Sequence, residues 1–226
     1  MKTCYIIAAG DAEKIEIKYE NNDIIIACDA GLTHCERNNI EPDMVIGDFD
    51  SLGYIPNNKK TIILPVKKDD TDTFFAVKYA MEKGYNRFVI FGGAGGKRPE
   101  HTYANIAVLA YISKNGGQAF LDCDNYSITT VTNGFITFNS NMSGNVSVFS
   151  FDTLSRDVNE TGLLYSVDNI EIENSSVLGV SNSFTGQKSR IGVKNGTIVI
   201  YFDGKFSDVT IDKYINDDII KTLKNE

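Results

Sequence analysis

Histidine and cysteine are scarce in this chain of 226 residues: His34 and His101, and Cys4, Cys28, Cys35 and Cys123 with no CxxC spacing. That scarcity argues against a structural zinc site, which needs four nitrogen or sulfur ligands close together. Three of the cysteines lie within or beside apolar runs and read as buried free thiols of a reducing cytoplasm. Positive charge is also in deficit, with 22 Lys and Arg against 30 Asp and Glu, a formal net charge of −8. This argues against a nucleic-acid-binding surface. A nucleotide substrate stays open, because a local site holding a metal ion can overcome an acidic average. No apolar run approaches the roughly 20 residues of a membrane span. Met1-Lys2-Thr3 opens straight into a strand-like run, without the apolar core of a signal peptide. The expectation is a cytoplasmic protein with neither membrane nor nucleic acid as partner. What the chain does have is 42% hydrophobic and 23% charged residues, an ordinary globular profile with enough length for a core.

The first half alternates strand-like and helix-like segments. Strands are expected at Cys4 to Ala9, Asp23 to Cys28, Asp43 to Gly47, Thr61 to Val66, Arg87 to Phe91 and Gln118 to Cys123. Helices are expected at Ala30 to Asn39, Thr73 to Lys83 and His101 to Lys114, with Gly84 as a stop signal. Apolar strands alternating with helices imply a doubly wound, mostly parallel α/β domain over residues 1–125. Beyond it the pattern changes. All four prolines precede residue 100, and short runs rich in Thr, Val, Ile, Phe and Ser follow. Asn133-Gly134 and Asn195-Gly196 each lie between two such runs, the sequence signature of a β-hairpin turn. Residues 126–226 are therefore expected to form an antiparallel β-sandwich, jelly-roll-like. An amphipathic helix is expected over Thr210 to Lys224.

An open α/β sheet binds ligands at the carboxyl edge of its strands, and acidic residues collect there. Asp29 follows the second strand; Asp48 and Asp50 follow the third, in Gly47-Asp48-Phe49-Asp50-Ser51; Asp69, Asp70 and Asp72 precede the second helix. Gathered carboxylates repel one another unless a cation sits among them, and oxygen ligands of this kind suit Mg²⁺. If Asp48-Phe49-Asp50 is extended, both carboxylates point one way with Phe49 packed behind. Aspartate also favours turns and helix N-caps, so position alone leaves both readings open. Gly92-Gly93-Ala94-Gly95-Gly96-Lys97-Arg98 lies between the fifth strand and the third helix. Glycines let backbone N–H groups approach phosphate, a helix N-terminus adds a favourable dipole, and Lys97 and Arg98 add cationic donors. It matches neither the Walker A nor the dinucleotide fingerprint in full. His101 suits either a phosphate contact or local packing.

In this order the segments resemble the thiamine pyrophosphokinase family. The likeness runs through Asp29-Ala30-Gly31, Pro42 to Ser51, Lys68-Asp69-Asp70-Thr71-Asp72, Gly93 to His101 with Asn105, and Gly179-Val180-Ser181-Asn182, covering roughly residues 3 to 202. The resemblance implies an α/β catalytic domain, a β-sandwich, and a homodimer with shared active sites. It implies Mg²⁺ and a reaction in which the thiamine hydroxyl attacks the β-phosphorus of ATP, giving thiamine diphosphate and AMP. It assigns Asp48, Asp50 and Asp72 to catalysis and, with Asp29, to the metal. Gly93, Gly96, Lys97, Arg98, His101 and Asn105 fall on the ATP side. Thr71, Ser181 and Asn182 fall on the thiamine side, where Tyr165 and Phe184 are candidates for an aromatic stacking partner, core packing being the alternative for each. Lys97 stands where many relatives carry a second glycine, and Glu100 where aspartate is common. A pterin pyrophosphokinase of the same superfamily would lack a reason for Ser181-Asn182 on a sandwich. A metal-dependent glycosyltransferase would account for Asp48-Phe49-Asp50 but not for the other motifs. A non-catalytic carbohydrate-binding protein would have no use for ATP-dependent metal binding.

Overall fold

Short apolar runs bounded by glycine, aspartate or asparagine form a parallel sheet in the computed structural model, which describes residues 1–57 and 60–214. They are β1 (Thr3–Ile7), β2 (Ile24–Cys28), β3 (Met44–Gly47), β4 (Thr61–Ile63), β5 (Arg87–Phe91) and β6 (Gln118–Cys123). Their spatial order is β4-β3-β2-β1-β5-β6, every pair parallel. All five residues of β1 are buried, as a strand covered on both faces requires. Helices α1 (Gly31–Arg37), α2 (Asp72–Glu82) and α3 (Pro99–Lys114) each follow a strand. The order runs outward from β1 in one direction through β2, β3 and β4, and in the other through β5 and β6. Loops leaving β1 and β5 therefore emerge side by side, next to the loop leaving β2. This is the crevice in which open α/β sheets bind ligands. The first strand, the fourth and the first helix are shorter than their sequence patterns, while β5 and β6 have the expected limits.

The chain divides into two units, Met1–Thr130 and Val131–Glu226. The architecture is mixed α/β: among the described residues, the only helical element after α3 is a 3₁₀ turn at Phe206–Asp208. The second unit contains the far part of β7 (Tyr126–Phe138), with β8 (Asn145–Ser150), β9 (Leu154–Thr161), β10 (Val167–Glu173), β11 (Asn182–Ser183), β12 (Ser189–Asp203) and β13 (Val209–Lys213). All pairings there are antiparallel. Its core includes Phe138, whose ring centroid lies 5.2 Å from that of Phe202 and 5.1 Å from that of Phe184.

Two sequence expectations fail here. Neither Asn-Gly pair makes a hairpin: β7 runs on through Asn133-Gly134, and β12 through Asn195-Gly196. Each pair instead makes a kink, with Asn133 at φ 49° and Gly196 at φ 123°. The kinks are joined, Gly196 N donating to Asn133 Oδ1 at 3.0 Å and the Thr132 and Thr197 hydroxyls lying 3.0 Å apart. Before its kink β12 pairs with β9, and after it with β8. The left-handed backbone that fits a tight turn also fits a bend that hands a strand to a new neighbour. The expected C-terminal helix is a strand where it can be seen: Val209–Lys213 pairs with β7, from Val209 opposite Phe138 to Lys213 opposite Gly134. Residues 215–224 of that segment lie outside the described residues. No helix among the described residues is long and apolar enough to cross a membrane.

Candidate active site

The carboxylates are delivered by turns at three loops. Asp29 leaves β2 in the left-handed region at φ 46°, its amide donating to Ile46 O at 2.9 Å. A Cβ on Gly47 would lie 3.1 Å from the Asp29 Cα, so a glycine at the end of β3 leaves Asp29 room that any side chain would crowd. Asp48-Phe49-Asp50 is not extended, contrary to the alternation expected of it. Phe49 is left-handed at φ 60° and only 3% exposed. For a bulky residue that backbone is a genuine outlier of the kind found at functional sites. The turn so made brings oxygens of Asp29, Asp48 and Asp50 within 4.8 Å of one another. The buried Asp29 Oδ1 has no hydrogen-bond partner.

Asp72 opens α2, where a negative charge is favoured by the helix dipole. Thr71 caps that helix, its Oγ1 accepting from Phe74 N at 3.1 Å. Lys68 stands between the two acidic segments, with Nζ 2.7 Å from Asp48 Oδ2 and 3.0 Å from Asp72 Oδ1. The second contact is an ion pair whose angles fall short of a hydrogen bond. The Lys68 hydrogen bond holds the Asp48 carboxyl below its ordinary range, and burial pushes the Asp72 carboxyl up against the pull of Lys68. For Lys68, burial works to lower the ammonium, but its hydrogen bond to Asp48 and the charges of Asp48 and Asp72 together outweigh it and raise it.

The glycine-rich loop is fastened on three sides. Ala8, Gly10 and Asp11 amides donate to Phe91, Gly92 and Ala94 carbonyls at 2.8, 2.7 and 3.0 Å. A Cβ on Gly10 would lie 2.6 Å from Gly92 O, so the two loops can zip together only there without a side chain. Gly96 N donates to Asp11 Oδ2 at 2.8 Å and Gly95 N to Thr102 Oγ1 at 3.1 Å. Buried Asn105 donates through Nδ2 to Gly93 O at 2.7 Å. Arg98 precedes Pro99, the first residue of α3, and its exposed guanidinium pairs through Nε with Glu100 Oε1 at 2.8 Å.

One cavity of about 810 Å³ at the carboxyl edge gathers these groups. Its lining includes Asp29, Asp48, Asp50, Thr71 and Asp72 on one side, and Gly93, Gly96, Lys97, Arg98, His101 and Asn105 on the other. Carboxylates to hold a cation thus face cationic side chains suited to phosphate. The lining residues with no role assigned from the sequence include Asp11, which holds Gly96; Lys68; and Arg37 of α1. The signal for Asp11 is its place as an acidic residue after the first strand, directly behind Gly10.

In the second unit, the four remaining sequence candidates behave differently from one another. Asn182 is 6% exposed and fully engaged: Oδ1 accepts from Tyr165 N and Ser183 N, both at 2.9 Å, and Nδ2 donates to Tyr165 O at 2.6 Å and Glu160 Oε2 at 2.9 Å. It therefore positions the Tyr165 segment. Ser181 is exposed and left-handed at φ 63°, its amide bonded to Ser147 Oγ. Tyr165 is 65% exposed, whereas Phe184 packs on Phe138.

A parallel α/β sheet that presents oxygen ligands and a fastened glycine-rich loop at its carboxyl edge has the make-up of an enzyme handling phosphates with a cation. Residues 16–121 match the family described as "Thiamin pyrophosphokinase, catalytic domain". The chain is 27% identical to a thiamine pyrophosphokinase of Bacillus subtilis over 213 residues, covering 88% of this chain and 98% of that one. It is 24% identical to thiamin pyrophosphokinase 1 of Caenorhabditis elegans over 174 residues, 71% of this chain and 69% of that one. The crystal structure of thiamine pyrophosphokinase from Bacillus subtilis shares the fold, with a TM-score of 0.78 at 23% identity, covering 90% of this chain and all of that one. Over these residues the chain is similar to thiamine pyrophosphokinases, and it shares their fold.

Proposed function

We propose that this chain is a thiamine diphosphokinase, transferring a pyrophosphoryl group from ATP to the thiamine hydroxyl. The observation that carries the reading is the single cavity lined by carboxylates from three loops and by the glycine-rich loop with Lys97 and Arg98. The hydroxyl oxygen bonds to the β-phosphorus, the bond from that phosphorus to the α-β bridging oxygen breaks, and AMP leaves. The proton of the hydroxyl passes to a carboxylate, Asp72 or Asp50, as the bond forms. Such transfer needs mainly in-line positioning and neutralisation of phosphate charge. Lys97 and Arg98 supply part of that charge, Arg98 after exchanging Glu100 for phosphate.

The fit to Mg²⁺ rests on hard oxygen donors and on Asp29 Oδ1, buried without a partner beside Asp48 and Asp50. Those three carboxylates, with Asp72, would hold it; when bound it would neutralise charge on the phosphates. Asn105 and Asp11 shape the loop rather than touch the nucleotide. In this reading the first unit is the doubly wound catalytic domain. The second is a β-sandwich whose Ser181 and Tyr165 face thiamine, held in place by Asn182. The enzyme is cytoplasmic and works as a homodimer in which each active site takes its thiamine-side residues from the other chain.

The test is incubation of the purified chain with ATP, Mg²⁺ and thiamine, followed by separation of the nucleotides and thiamine esters. AMP and thiamine diphosphate should appear in equal amounts, and neither without Mg²⁺. Formation of ADP and thiamine monophosphate, or consumption of ATP with a pterin but not with thiamine, would overturn the assignment.

A further inference from the structure

Asp48 belongs to two groupings. One oxygen grouping is Asp29, Asp48 and Asp50, all within 4.8 Å. The other is the ion pair with Lys68, whose ammonium also reaches Asp72. Side chains of Lys68, Asp48 and Asp72 are only 16%, 12% and 20% exposed, so water screens them little. Asp29, Asp48 and Asp72, with exposed Asp50, bring four carboxylates to one edge of the cavity, and the partly buried like charges need compensation.

We propose that Lys68 is a resident counter-ion of this site: it neutralises Asp48 and Asp72 in the metal-free enzyme and competes with a divalent cation for Asp48. The inference rests on the proposed function for its setting, but concerns a residue with no role there. A fixed ammonium beside the carboxylates keeps the cluster from collapsing outward before substrate arrives. It also weakens the hold on a free divalent ion, because like charges a few ångströms apart repel in a partly buried site. The divalent cation is then retained mainly once ATP adds phosphate oxygens to its ligands. Free metal and metal-nucleotide are thereby discriminated by a protein cation.

The experiment titrates Mn²⁺ into wild type, Lys68→Met and Lys68→Arg in the absence of nucleotide and thiamine, following the free Mn²⁺ signal by electron paramagnetic resonance. Lys68→Met should bind Mn²⁺ at least about tenfold more tightly than wild type, since a repulsive unit charge is gone. Lys68→Arg, which keeps the charge, should stay within about threefold of wild type. Without metal, the thermal midpoint of Lys68→Met should fall below that of wild type, and Mg²⁺ should raise it more. If Lys68→Met folds only with Mn²⁺ present, at concentrations that leave wild type unbound, the proposal holds. Equal or weaker Mn²⁺ binding by Lys68→Met overturns it, as does a variant that no Mn²⁺ concentration rescues while Lys68→Gln folds and binds like wild type. No thiamine or ATP is used, so failure here is distinct from failure of the proposed activity.

Discussion

Asp48 and Asp50 are separated by one residue, yet among the described residues only the first has a cation beside it. Their replacement should therefore have the same effect on turnover and different effects on stability. Asp48→Asn and Asp50→Asn should each reduce thiamine diphosphate formation by at least about a hundredfold, as loss of an electrostatic group in a phosphoryl-transfer site does. Asp48→Asn should also lower the thermal midpoint, because it leaves Lys68 partly unpaired in a buried place. Near-normal turnover in both folded variants would sink the metal-site assignment. Glu160 poses the opposite problem, a carboxyl 4% exposed whose Oε2 accepts from Asn182 Nδ2 at 2.9 Å. Burial raises its folded pKa above the ordinary value, and the Asn182 bond only partly opposes this. Stability from the protonated form is therefore present below the ordinary carboxylate range and is lost as pH rises through the folded value. Glu160→Gln, which can still accept from Asn182, should melt higher than wild type at about pH 7.5, the gain vanishing near pH 3. A pH-independent difference in melting would contradict this. The placement of the aspartates at the carboxyl edge was legible in the sequence because each follows an apolar strand, although position alone did not separate a cation site from a turn or cap. Asp11 and Lys68 were not, because their partners Gly96 and Asp48 lie 85 and 20 residues away and meet them only through the strand order.

Helix α2 begins where chemistry and folding coincide. Thr71 closes its first turn through Phe74 N, and the same residue lines the cavity. Thr71→Ala should lose about 1 kcal/mol of stability, while Thr71→Ser should stay within a few tenths, since a hydroxyl is what the cap requires. Chemical denaturation of the two variants reads this directly; equal losses would mean that the methyl packing, not the cap, matters. Among the elements, β5 and β6 were readable to the residue because they are apolar and bounded by turn signals on both sides. The Asn-Gly pairs misled for a definite reason. A left-handed Asn or Gly marks a change in chain direction, and sequence does not distinguish a reversal from a bend within a strand. The partner that decides between them is remote: Asn133 is bonded to Gly196.

The proposed sharing of each site between two chains makes a prediction that no single-chain enzyme satisfies. Asp50→Asn damages the first unit, and Tyr165→Ala damages an exposed ring of the second. Tyr165 is preferable to Asn182 for this purpose, since removing Asn182 would strand buried partners. Mixed under conditions that exchange subunits, the two weak variants should recover up to about half of wild-type activity per heterodimer, because one of its two sites is then free of substitutions. Verified heterodimers without recovery would show that each site belongs to one chain.

The kinks also govern where this protein can change length. Loops at the tips of true hairpins accept extra residues at small cost, and an Asn-Gly pair is where one would try it. At Asn195-Gly196 the outcome would be different. The chain there is mid-strand, and the rest of β12 is in register with β8, Ile198 opposite Ser150 through Phe202 opposite Val146. One inserted or deleted residue would exchange Ile198, Ile200 and Phe202, all buried, with Val199 and half-exposed Tyr201 across the two faces of the strand. Over evolutionary time the dipeptide that looks most like a place to grow is therefore one of the positions where the reading frame of the fold is fixed.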